Sequence, residues 1–135
     1  PRSQVQAPQV TDERGRPLAD SAEARFAIIK FGRVDYRLAT GRFVGQQARI
    51  YYVVPASIPG LLTPSGLQVQ WRGNGVFADG VARPGERHLV WAGTVRERWM
   101  SEGLDLTLQL DLRAVRLPSD GRFGFESYFE IETSP

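Results

Sequence analysis

The chain has 135 residues, enough for one domain with its own core, and its 41% hydrophobic and 24% charged residues are the composition of a folded protein. It contains no cysteine, which excludes a disulfide framework, a thiolate zinc site and a cysteine nucleophile. Of its 17 basic residues only Lys30 is a lysine, and the net charge of +2 offers little long-range attraction to a polyanion, so nucleic acid is disfavoured as a partner.

Residues 1–24, PRSQVQAPQVTDERGRPLADSAEA, carry almost no large apolar side chain and no sustained period. Burial of so few apolar groups does not offset the entropy of ordering them, so a flexible N-terminal tail or linker is expected. An alternative is that Val5 to Val10 adds a strand to a partner's sheet edge. The first residue is Pro1, which fits a processed chain or an excerpt of a longer one, and no run of 18 apolar residues is present.

From Arg25 onward the pattern has period two, and residues 25–135 are expected to form a single domain. Phe26 to Leu38 and Phe43 to Val54 read as strands, with breaks at Gly32 and at Ala39-Thr40-Gly41. Ile50 to Val54 is apolar on both faces, as a central strand covered on two sides would be. Pro55 to Gly66, PASIPGLLTPSG, then connects to the next strand and holds Ile58, Leu61 and Leu62 among three prolines. An exposed loop is ordinarily polar, so this segment is either a crossover closing one end of the domain or a stiff apolar loop presented to a partner.

Leu67 to Arg72 alternates Leu67, Val69 and Trp71 with Gln68, Gln70 and Arg72, which buries the tryptophan as a core filler. Gly73-Asn74-Gly75 is expected to supply the positive-φ residues of a tight turn. Gly85 to Val95 is a further strand, and it carries His88, the one histidine of the chain, and Trp91. Between it and the next strand, Arg96 to Glu102 (RERWMSE) places Trp99 and Met100 among charges. Trp flanked by Arg is a composition shared by protein hot spots and sugar-stacking platforms.

Gly103 to Val115, GLDLTLQLDLRAV, is the clearest segment. Leu104, Leu106, Leu108, Leu110 and Leu112 recur at every second position, which spirals around a helix but lines one face of a strand. Pro118, Asp120 and Gly121 mark a turn, and RFGFESYFEIE repeats the alternation with Phe123, Phe125, Phe129 and Ile131, so the two runs read as a hairpin or a short connection.

Charge is unevenly placed. Six basic residues between Arg25 and Arg49 face one acid, Asp35, whereas from Ser101 to Pro135 seven acids face three arginines. Neighbouring strands with paired outward residues explain this more simply than a basic face for an anionic ligand.

Several strands of five to eleven residues separated by Gly/Pro turns define an all-β fold, an antiparallel β-sandwich of immunoglobulin-like or Greek-key type, with a closed β-barrel as the alternative. No phosphate loop, dinucleotide fingerprint, calcium loop or nucleophile elbow is present, and no cofactor or metal is implied. The expected function is therefore a non-catalytic binding or structural module. It would recognise a protein partner, or assemble with itself, through an edge strand or through Ile58, Leu61, Leu62, Trp99 and Met100, in an extracytoplasmic setting such as a bacterial envelope or secretion assembly. The alternative is a carbohydrate-binding module using Trp99, Trp91, Arg96 and Arg98; a small hydrolase built on His88 or an acidic pair is the weakest reading.

Overall fold

The computed structural model describes residues 9–116 and 125–134. Its eight strands are β1 (Gln9–Asp12), β2 (Phe26–Ala39), β3 (Gln47–Val53), β4 (Leu67–Gly73), β5 (Gly80–Ala82), β6 (Arg87–Thr94), β7 (Trp99–Asp111) and β8 (Tyr128–Thr133). They form two antiparallel sheets, β1-β2-β7-β4-β5 and β6-β3-β8, facing each other as a β-sandwich. The sheets do not join into a closed barrel.

The leucine ladder places the core where alternation requires it. Leu104, Leu106, Leu108 and Leu110 are all buried, while Asp105 and Gln109 between them are exposed. Each such side chain contributes about 1.5–3 kcal/mol when fully withdrawn from water. The ladder strand is longer at its start than expected, beginning at Trp99, and it ends at Asp111, where that carboxylate accepts a hydrogen bond from the Arg113 N–H and opens a short 3-10 turn over Leu112–Ala114.

β2 is one strand of 14 residues, without the expected break at Gly32. Pairing with β7 skips from Lys30↔Thr107 to Gly32↔Leu106, leaving Phe31 as an extra residue. Gly32 has φ of +68°, so the glycine bends the strand at a bulge instead of ending it. The bulge also changes which residues face inward, from Ala27 and Ile29 before it to Val34 and Leu38 after it.

A second correction concerns the N-terminus. The ordered sheet begins before residue 25, because Gln9–Asp12 pairs with Ala27–Lys30 as the edge strand β1. What anchors this stretch is polar, which apolar counting does not register. Asp12 is buried and accepts hydrogen bonds from the N–H groups of Arg14 (2.8 Å) and Arg16 (2.9 Å), and Glu13 accepts from that of Phe26 (3.0 Å). Val10 therefore pairs within its own chain, opposite Ile29; Val5 to Pro8 lie outside the described residues.

The chain changes sheets repeatedly. Residues 54–66 cross from β3 in one sheet to β4 in the other, and β7 and β8 also lie in different sheets, so their connection is a crossover and not a hairpin. The turn expected at 117–121, with Phe123, lies outside the described residues.

Gly73-Asn74-Gly75 does not use positive φ at any of its three positions. The glycines are needed for space. A Cβ on Gly73 would stand 2.2 Å from the Phe77 carbonyl oxygen, and one on Gly75 would stand 2.6 Å from the Glu102 carboxylate. Glu102 is buried on the inward side of β7 and accepts from the Val76 N–H at 2.7 Å, which ties this loop down. Trp71 fills the core as expected, with its indole N–H donating to the Ala78 carbonyl at 3.0 Å.

Candidate ligand cleft between the sheets

The two sheets meet along one side, where β5 runs through a four-residue corner into β6. On the opposite side they part. There, among the described residues, β8 is the outer strand of the smaller sheet, and in the larger sheet β1 pairs with β2 as far as Lys30. Among the described residues, the edge of β2 beyond Lys30 and the outer edge of β8 have no strand partner. Between them lies an apolar cleft of about 710 Å³.

β2 contributes Ile29, Phe31, Val34, Tyr36 and Leu38 to one wall, and Phe129 and Ile131 of β8 form the other. Tyr52, Val69, Leu106 and Leu108 lie deeper. Local geometry explains why these side chains converge. The bulge turns Tyr36 inward after Phe31, and antiparallel pairing sets Phe129 beside Tyr52. Phe129 then meets Tyr36 edge-on at 5.0 Å and Tyr52 at 5.2 Å, and Tyr52 reaches Trp71 at 4.6 Å. Tyr36, Tyr52 and Phe129 interlock, each ring touching the other two.

Polar groups in the cleft are few. The Tyr36 and Tyr52 hydroxyls approach each other at 3.4 Å. Burial pushes both phenols above their ordinary value, so both are neutral hydrogen-bonding groups at any physiological pH. The Ser127 hydroxyl lies buried against that of Tyr52. Glu126 and Tyr128 stand exposed at the mouth.

The residues singled out by sequence lie elsewhere. Ile58 is 5% exposed and belongs to the core, Leu61 is half-buried in a bridge with Val115, and only Leu62, at 59%, reaches solvent. The segment from Pro55 to Gly66 is thus mainly a crossover that seals the domain, and it does not present a continuous apolar face. Trp99 is the most exposed of the three tryptophans, but it opens β7 instead of sitting in a loop, and the Arg37 guanidinium covers one face of its ring at 4.1 Å. Met100 is half-buried and packs on the core, and so does Trp91 on β6. Trp91 is consequently not brought together with Trp99. Arg96 and Arg98 are exposed in the turn joining β6 to β7.

His88 stands edge-on to Trp71 at 5.2 Å, engaged in packing. The acidic residues of β8 pair with an arginine across the smaller sheet, Glu130 with Arg87 at 3.1 Å and Glu132 with the same side chain at 3.4 Å. Among the described residues no three His, Asp or Glu side chains gather as metal ligands would. The charge asymmetry of the sequence does map onto neighbouring strands, β2 with β7 and β3 with β8. The actual ion pairs differ in part, since Arg33 pairs with Asp35 of its own strand at 2.7 Å.

Sequence reasoning missed the cleft because Phe31, Tyr36, Phe129 and Ile131 occupy the inward positions that a filled core would also occupy. Alternation reports which way a side chain points but not whether anything stands opposite. Comparison with protein-family models finds no match, and neither the curated proteins nor the solved structures hold a chain that matches this one.

Proposed function

We propose that the protein is a non-catalytic binding module that receives an extended, apolar segment of a protein partner in the cleft between its sheets. The observation that carries this reading is the coincidence of two features: an apolar cleft, and strand edges that have no strand partner among the described residues along both of its sides. An apolar small molecule would use the first feature only. A strand uses both, because its backbone hydrogen-bonds to an open edge while every second side chain enters the cleft. The edge-strand mode of recognition expected from the sequence thus has more support than the 55–66 loop, most of whose apolar surface is spent within the domain. The carbohydrate reading through Trp99 has less, since Arg37 already stacks on that ring. An extracytoplasmic setting belongs to the same proposal and is tested by fractionation of the producing cell.

The test is selection from a displayed library of ten-residue peptides, followed by binding of the enriched peptides in solution. The expected binders alternate apolar and polar residues. Their affinity falls at least tenfold when alternate backbone nitrogens are methylated, which removes hydrogen bonds but no apolar surface, and also when Ile131→Glu places a charge in the cleft wall. Binding indifferent to methylation, or unaffected by Ile131→Glu, would refute strand addition at this site.

A further inference from the structure

A second surface, sharing no residue with the cleft lining, lies at the end of the sandwich where β2 leads to β3 and β6 leads to β7. The connections 40–46 and 95–98 are fastened to each other. The Thr40 N–H donates to the Arg98 carbonyl (2.9 Å), the Thr40 hydroxyl to the Glu97 carbonyl (2.6 Å) and the Gly45 N–H to the Val95 carbonyl (2.7 Å). Arg42, Arg96 and Arg98 are exposed on this end, and Arg37 adjoins it over Trp99. Among the described residues none of the four is within ion-pair distance of a carboxylate, although arginines elsewhere in the domain find one. The acids nearby are Glu97, which is exposed, and Glu102, whose carboxylate is turned inward to the Val76 N–H. The same end carries exposed apolar groups, Val44 at 47% and Trp99 at 49%, with Phe43 half-buried under the Arg42 guanidinium at 5.0 Å.

We infer that this end docks onto an anionic lipid surface, with Arg42, Arg96 and Arg98 at the lipid phosphates and Val44 and Trp99 at the boundary of the acyl region. Charge complementarity selects an anionic occupant. The apolar tips narrow it further, because a nucleic acid or other polyanion would neutralise the arginines and leave Val44 in water. Tryptophan and arginine both suit this boundary, having an apolar body and a polar or charged end. Two connections tied by four hydrogen bonds, the fourth from the Val95 N–H to the Gln46 carbonyl, present the groups without a large ordering cost on binding.

The experiment is flotation of the whole chain with vesicles of phosphatidylcholine alone and of phosphatidylcholine with one third phosphatidylglycerol, at low and at raised salt. Binding is expected only to the anionic vesicles and weakens as salt rises. Each arginine removed lowers the partition about fivefold, so Arg42→Gln with Arg98→Gln lowers it roughly 25-fold, whereas Arg113→Gln, at an ion pair remote from this end, leaves it unchanged. Val44→Ser weakens binding without altering its salt dependence. All of these positions are exposed, and an unchanged urea midpoint certifies the fold of each variant. Absence of flotation, equal binding to both vesicle types, or binding untouched by the double variant would overturn the proposal. Salt-sensitive binding to heparin or duplex DNA without flotation would overturn it as well, assigning the surface to a soluble polyanion.

Discussion

Truncating the leucines of β7 one at a time measures whether the cleft is open in solution. Leu104, Leu106 and Leu108 belong to one ladder on one strand and are buried to similar degrees, with 0%, 9% and 5% exposure. Their surroundings differ. Leu106 and Leu108 line the cleft, and Leu104 does not. Removing a packed leucine costs the transfer free energy of the lost atoms, about 2 kcal/mol, plus about 24 cal/mol for each Å³ of new cavity, for a total near 4 kcal/mol when the void is about 100 Å³. Leu104→Ala should incur both contributions. Leu108 borders the cleft left by the described residues, so for Leu108→Ala the cavity contribution largely disappears and the cost is about 2 kcal/mol. Given the unfolding entropy usual for a chain of this length, these costs lower the melting temperature by about 14 °C and about 7 °C respectively. Urea denaturation at constant m-value resolves the difference. If Leu108→Ala is as costly as Leu104→Ala, the space beside Leu108 is filled in the free protein and the proposed binding site is lost. A bound peptide of the kind described above should raise the midpoint of the wild type more than that of Ile131→Glu.

Two further outcomes follow from the loop and from the buried phenols. Gly73→Ala forces a methyl against the Phe77 carbonyl and should cost about 1–3 kcal/mol in urea denaturation, whereas Asn74→Ala, at an exposed residue whose backbone N–H keeps its bond to the Gly103 carbonyl, should stay within about 0.5 kcal/mol; the opposite ranking would restore a positive-φ turn. Burial holds Tyr36 and Tyr52 protonated in the folded state above the ordinary phenol value of 10.0, so the stability associated with their neutral forms is complete below pH 10 and declines as pH rises beyond it. Phenolate absorbance of these two residues should therefore appear together with loss of the far-UV β signal in alkaline titration. Their ionisation near pH 10 with the fold intact would contradict the packing of the Tyr36–Tyr52–Phe129 cluster.

Much of the scaffold was legible in the residues. The period-two ladder from Leu104 to Leu110 and the inward Trp71 reappear in the structure because each depends on local geometry alone: neighbouring side chains of a strand must point to opposite faces. Boundaries that depend on more distant groups were not legible. β1 is held by the carboxylate of Asp12 and by pairing with β2, and neither leaves an apolar signal in residues 1–24. Gly32 reads as a strand end because a glycine either breaks a strand or bulges it, and only the facing Leu106 and Thr107 decide which.

By itself the amino-acid order determined an antiparallel all-β domain, the inward set of side chains on each strand, and the absence of cysteine chemistry. Tertiary structure alone decided that β8 does not pair with β2, so that inward residues line a cleft where alternation predicts a core, and that Arg42 and Val44 share one end with Arg98 and Trp99. The reason is physical. The direction of a side chain is fixed within two residues of backbone, whereas what it meets is fixed by strands that may lie a hundred residues away.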